Sequence, residues 1–299
     1  MDTAFFVSDL HGRVSRYELL FEAVARERPS ALFIGGDFLP MAWKSVASGR
    51  ARPADFVRDF LGRELRSLRR ALGGAYPRVF LIMGNDDARS EEGAVLRLEA
   101  EALWEYIHER KVPLGDYTVY GYAFVPPTPF RLKDWERYDV SRYVDPDSIS
   151  PEEGFRTVPV SEQVAKCATI QDDLARLAGS DDLTRAVFLF HSPPYRTTLD
   201  VSGRGGVLVD HVPLDPHLGS IAIRRFIENR QPLLTLHGHI HESARLSGSW
   251  RDRIGRTHCF SAAHDGPGLG LVRFRLDDLE AAERTLVGEG PRGPEGPTS

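Results

Sequence analysis

Phe5-Phe6-Val7 runs directly into Ser8-Asp9-Leu10-His11-Gly12, and Leu32-Phe33-Ile34 runs into Gly35-Gly36-Asp37. Phe80-Leu81-Ile82-Met83 ends at Gly84-Asn85-Asp86-Asp87. Later, Val187-Phe188-Leu189-Phe190 ends at His191-Ser192-Pro193-Pro194, and Leu233-Leu234-Thr235-Leu236 ends at His237-Gly238-His239-Ile240-His241. Each run is short, apolar and bounded by turn-forming residues, which is the pattern of a buried strand. Each also delivers a potential ligand at its C-terminal end, where open α/β sheets form their crevices. One such coincidence would mean little, because a strand-end Asp usually caps a helix and a His before Pro-Pro usually sits in a turn. Five in chain order are hard to explain as five separate caps.

Working outward, strands are predicted at Ala4–Ser8, Ala31–Gly35, Val79–Met83, Tyr117–Val125, Ala186–Phe190, Leu233–Leu236, Thr257–Ser261 and Leu269–Phe274. Amphipathic stretches between them predict helices at Ser15–Arg28, Ala54–Leu72, Glu91–Lys111, Ser161–Ala178 and Ser220–Asn229. Alternation of the two implies an α/β layer fold with much of its sheet parallel or mixed. Residues 1–287 read as one domain. Two Pro- and Gly-rich stretches, 126–160 and 195–218, break the rhythm as loop insertions, and the aromatic content of the first favours an ordered lid. The Gly/Pro/Glu-rich end, 288–299, reads as a disordered tail.

The 299 residues carry a net charge of −5, so no global positive field draws the chain to polymeric nucleic acid or an anionic membrane. The strand pattern starting by residue 3 leaves no room for a signal peptide, and no apolar run approaches the roughly 18 residues that cross a bilayer. The expectation is a cytoplasmic protein. Cys167 and Cys259 lie far apart and lack metal spacing, so both are expected to be buried small apolar residues.

Asp9, His11, Asp37, Asn85, His191, His239 and His241 combine imidazole nitrogens with carboxylate and amide oxygens. That mixture suits Mn²⁺, Zn²⁺, Fe or Ni better than the all-oxygen preference of Ca²⁺ or Mg²⁺. Seven ligands are too many for one tetrahedral site and about right for two ions sharing a bridging carboxylate. Two ions roughly 3.5–4 Å apart can polarise a phosphoryl oxygen and lower the pKa of a bridging water.

Asp9-Leu10-His11, Gly36-Asp37, Gly84-Asn85, His191 and Gly238-His239-Ile240-His241 resemble, in order and spacing, the signature of the calcineurin-like metallophosphoesterase superfamily. The resemblance spans about residues 5 to 241. It implies a four-layer α/β/β/α sandwich with a dimetal site at one edge. It further implies that Asp9, His11 and His241 hold one ion, Asp37 bridges, and Asn85, His191 and His239 hold the second, with Asn85 also reaching substrate. A metal-bridging hydroxide would then attack phosphorus.

Two departures stand out. Many members carry Gly-Asp-X-X-Asp, but Phe38-Leu39-Pro40 follows Asp37 here, and the missing carboxylate is one that orients ligands. The usual Gly-Asn-His-Asp/Glu is Gly84-Asn85-Asp86-Asp87, so Asp86 stands where the family places the histidine that contacts phosphate and protonates the leaving group. A carboxylate there repels a dianionic monoester more than a monoanionic diester, and it is a poor acid unless its pKa is raised. The expected activity is therefore hydrolysis of small phosphate esters, diesters such as nucleotide-derived or cyclic ones ahead of monoesters, with Asp86 the candidate acid. A metal-binding scaffold of the same fold that lost turnover is the competing class. A nuclease would call for a basic stripe, which the composition does not supply.

Other polar residues read as structural. His237 is expected to pack under the site or face solvent, and His264 to be a loop histidine. Arg131, Lys133 and Arg137 around Trp135 read as a solvated charged loop, with a phosphate-contacting lid as the alternative.

Overall fold

The computed structural model describes residues 3–41, 55–205, 208–209 and 211–289. Its strands are β1 (Ala4–Val7), β2 (Ala31–Gly35), β3 (Arg78–Ile82), β4 (Glu105–Tyr106), β5 (Arg110–Leu114), β6 (Tyr117–Tyr122) and β7 (Ala186–Phe190). They continue with β8 (Leu208–Val209), β9 (Val212–Pro213), β10 (Leu234–His237), β11 (Arg251–Ile254), β12 (Thr257–Ser261), β13 (Leu269–Arg275) and β14 (Asp278–Val287). Two six-stranded sheets result, ordered β14-β13-β1-β2-β3-β4 and β11-β12-β10-β7-β6-β5. Both are mixed: β1, β2 and β3 run parallel, as do β6, β7, β10 and β12, while β13, β14, β5 and β11 pair antiparallel.

The two sheets face each other across an aromatic core. Phe260 on β12 meets Phe274 on β13 edge-on at 6.2 Å between ring centres, and β2 and β3 pack against β6 and β7. Helices cover the outer faces. In the helix Val14–Glu27, the buried residues Tyr17, Leu20, Ala23 and Val24 form one stripe, and the helix packs on β13. In the helix Ile221–Arg230, Phe226 meets Phe188 of β7 at 5.0 Å. The expected α/β sandwich of two mixed sheets with flanking helices is what the structure shows.

Several elements differ from the sequence reading. The helix predicted over Glu91–Lys111 ends at Glu99, where Ala102 turns left-handed (φ 55°). The chain then forms β4 and β5, because alternation around Tyr106 and Val112 suits strands better than a helix. Ser161–Ala178 splits into Glu162–Cys167 and Ile170–Ala178, each with its own cap, Ser161 and Thr169. Cys167 is exposed, contrary to expectation, because the short helix that carries it buries none of its residues; Cys259 is buried. The start of the Ala54–Leu72 prediction lies outside the described residues; Phe56–Gly62 forms a π-helical turn leading into Arg63–Leu72. Most of the predicted tail, and residues 206, 207 and 210 of the second insertion, also lie outside them.

The stretch 126–160 is tied to the fold at several points. Arg89 N–H donates to Asp134 and Ser90 N–H to Thr157, and Asp139 accepts from Ile221 N–H at 2.6 Å, capping that helix. Arg131 is exposed, as a solvated charge would be, and Arg137 is half-buried, but Lys133 departs from that reading. Lys133, Trp135 and Glu136 are all buried, with Lys133 Nζ 2.5 Å from Glu136.

Candidate metal centre

The parallel strands β1, β2, β3, β7 and β10 release their following loops, and the seven predicted ligands, at one edge of the sandwich. Four of these residues, Asp9 (φ 56°), His11 (φ 49°), Asp37 (φ 50°) and His239 (φ 73°), occupy the left-handed region. That conformation is costly for residues with a Cβ and clusters at functional sites. Glycine is required beside them: a Cβ on Gly84 would stand 2.3 Å from Asp37 Oδ1 and 2.7 Å from His191 Nε2.

The side chains form two groups. In the first, His11 Nε2 lies 3.1 Å from His241 Nε2, which lies 3.3 Å from Asp9 Oδ1. In the second, His191 Nε2 lies 3.2 Å from Asp37 Oδ2 and 3.0 Å from Asn85 Oδ1. Asp37 also belongs with the first group, since ligand atoms of Asp9, His11, Asp37 and His241 all lie within 4.8 Å of one another. The His239 ring sits beside His191, 5.2 Å between centres. Atoms bound about 2.0–2.2 Å from one ion stand roughly 3 Å apart, so these spacings are of the order found among atoms that share an ion.

Electrostatics point the same way. Burial works against charge on Asp9, yet the hydrogen bond and charge of His241 outweigh it and hold the carboxyl well below its usual range. Burial likewise opposes charge on His191, but the Asp37 carboxylate overrides it and raises the imidazole to about 10. His239 is pushed down to about 3 by burial. The carboxylates thus favour protons on His191 and His241, which divalent cations can replace, while His239 stays neutral and free to bind a metal. His191 Nδ1 faces the Gly35 carbonyl at 2.7 Å, and donating there leaves Nε2 as the ligand atom.

Three supporting residues escaped the sequence reading. Asp87, fully buried, accepts from Leu39 N–H at 2.8 Å, Phe38 N–H at 3.3 Å and Gly84 N–H at 2.9 Å, clamping the Asp37 loop to the Asn85 loop. Buried Arg16 donates to the Asp9 carbonyl at 2.5 Å and the Gly266 carbonyl at 2.6 Å. Ser8 Oγ donates to Asp9 at 2.5 Å. An Asp flanking a tight strand-end loop was the available signal for Asp87; nothing in the sequence singles out Arg16.

His237 packs under the site as one of its two expected placements, bonded to Thr235 Oγ1 and facing the Ser192 carbonyl. His264 lies in a loop, as expected, buried with its Nε2 2.6 Å from Glu289. Asp86, the candidate acid, lies with its backbone N–H donating to Asp37 Oδ1 at 2.8 Å. Burial, then the charge of Asp37, raise its carboxyl to about 7.

Residues 3–243 match the calcineurin-like phosphoesterase family, and the chain belongs to that family. Membership in it implies phosphoesterase chemistry, and the cluster of Asp9, His11, Asp37 and His241 could hold a metal ion. Among solved structures it is similar to TT1561 of Thermus thermophilus, at 18% identity and TM-score 0.55, covering 95% of this chain and 98% of that one. It is also similar to a dimetal phosphatase from Danio rerio, at 13% identity and TM-score 0.51, covering 91% of each chain. Both likenesses concern the fold. No curated protein matches the chain. Among the described residues no helix is long and apolar enough to cross a membrane.

Proposed function

We propose that this protein hydrolyses small phosphate esters with two divalent ions, Mn²⁺ foremost and Fe, Zn or Ni as alternatives, and that it prefers phosphodiesters, including nucleotide-derived ones. The observation that carries the reading is the pair of ligand groups, Asp9–His11–His241 and Asp37–Asn85–His191, side by side at one sheet edge. Asp9, His11 and His241 would hold one ion, Asn85, His191 and His239 the other, and Asp37 both. When bound, such ions acidify water and polarise phosphoryl oxygens.

The chain's own residues supply the rest. Fixed backbone turns and close glycines pre-set the ligands, so little reorganisation is needed when substrate arrives. Asp86 stands at the rim, and in its ionised form, which gains weight above about pH 7, its charge penalises a dianionic monoester more than a monoanionic diester. A diester with a good leaving group also needs less acid assistance.

The test is turnover of bis-p-nitrophenyl phosphate and p-nitrophenyl phosphate, with and without Mn²⁺. Faster Mn²⁺-dependent diester hydrolysis is expected. Faster monoester hydrolysis would remove the diester preference, and no turnover of either would leave a metal-binding scaffold.

A further inference from the structure

The carboxyl group at position 86 reaches both ligand groups. Its Oδ1 accepts from Asn85 Nδ2 at 3.2 Å, and that bond turns the Asn85 amide so that its oxygen, 3.0 Å from His191 Nε2, faces the second group. Its Oδ2 lies 3.7 Å from His11 Nδ1. This second distance exceeds a hydrogen bond, but His11 Nδ1 is buried and has no hydrogen-bond partner among the described residues. His11 Nε2, on the opposite side of the ring, is the nitrogen packed against His241. If Nε2 is a ligand, Nδ1 must carry a proton, and a buried N–H without an acceptor is costly. The nearest carboxylate is Asp86.

We propose that Asp86 is a positioning residue: one carboxylate that orients Asn85 through Oδ1 and His11 through Oδ2, so that a ligand from each group is held from behind by the same side chain. The proposal rests on the two-ion reading above. Its backbone N–H donating to Asp37 Oδ1 ties the bridging carboxylate to the same residue. Metal-binding imidazoles ordinarily donate their other N–H to a carboxylate or carbonyl. His191 has the Gly35 carbonyl for this purpose, whereas His11 has Asp86. The residue that replaces the family's histidine thus acts on the ions' ligands.

The experiment compares wild type, Asp86→Ala and Asp86→Asn. Mn²⁺ affinity is measured by calorimetry. The His11 Nδ1–H resonance of the Zn²⁺-loaded, ¹⁵N-labelled protein is assigned by its absence in His11→Gln. Asp86→Ala should bind Mn²⁺ about 10- to 100-fold more weakly and lose the slowly exchanging His11 signal. Asp86→Asn, which keeps one acceptor, should fall between. Wild-type Mn²⁺ affinity and a retained His11 signal in Asp86→Ala would overturn the proposal while leaving the two-ion reading intact. Failure of wild type to bind Mn²⁺ would overturn both. Should Asp86→Ala not fold, Asp86→Asn decides alone: unchanged affinity and signal overturn the proposal, and weakened affinity supports it.

Discussion

Asp87 Oδ1 accepts a hydrogen bond from Leu39 N–H at 2.8 Å, joining the loop after β2 to the loop after β3. With Phe38 N–H and Gly84 N–H on Oδ2, one buried carboxylate satisfies three backbone donors next to two candidate metal ligands. Asp87 thereby fixes the loop that carries Asp37 from the side of the Asn85 loop.

Asp87→Ala would leave those donors buried without acceptors, at about 1–3 kcal/mol each when unrelieved. Some relaxation will recover part of this, so a loss of about 3 kcal/mol is expected in urea unfolding of the metal-free protein. An unchanged midpoint would show that the clamp is unimportant.

The Lys133–Glu136 pair, buried on both sides, gives a second stability prediction. Lys133 Nζ also donates to the Thr128 carbonyl at 2.9 Å, and Glu136 accepts from Thr128 N–H at 2.8 Å. Glu136→Ala strands a buried ammonium and should cost about 3–5 kcal/mol. Adding Lys133→Met to that variant removes the stranded charge and should recover at least about 1 kcal/mol. If the two losses simply add, the pair is not coupled as the geometry requires.

His108 supplies a pH signature. Its Nδ1 accepts from Ala123 N–H at 3.1 Å, and burial, reinforced by the charges of Arg137 and Arg89, holds its pKa well below the ordinary value; Glu109 stands 3.9 Å from Nε2. Because the folded form stays neutral while the unfolded form gains a proton below about pH 6.5, this stability is present above that pH and lost as pH falls. His108→Asn keeps an acceptor for Ala123 and removes the titration. Its stability deficit relative to wild type should shrink by about 1 kcal/mol between pH 7.5 and 5.5. A constant deficit would contradict the buried neutral imidazole.

What was legible in the sequence follows from how each feature is encoded. The central strands β1, β2 and β7 are apolar on both faces and stand out as continuous runs with sharp ends. Because function sits at those ends, the ligand candidates could be read with them. The edge strand β14, Asp-Leu-Glu-Ala-Ala-Glu-Arg-Thr-Leu-Val, was invisible for the opposite reason: it buries little beyond Leu279 and Ala282 and carries the charges that protect sheet edges. Lys133 looked like a solvated charge because burial of an ion pair depends on tertiary partners. Asp87 and Arg16 act on backbone groups of remote loops, and such contacts leave no local pattern.

The two ligand groups are proposed to hold two ions that act together on a phosphate ester. Mn²⁺ bound per chain, by calorimetry with metal analysis, measured alongside bis-p-nitrophenyl phosphate hydrolysis in wild type, His241→Ala and Asp37→Asn tests it most directly. Two ions are expected in wild type, loss of at least one in each variant, and a fall in turnover of about 100-fold or more with it, since an electrostatic contribution of that kind is worth several kcal/mol. A single ion in wild type, or full hydrolysis by Asp37→Asn, would contradict it.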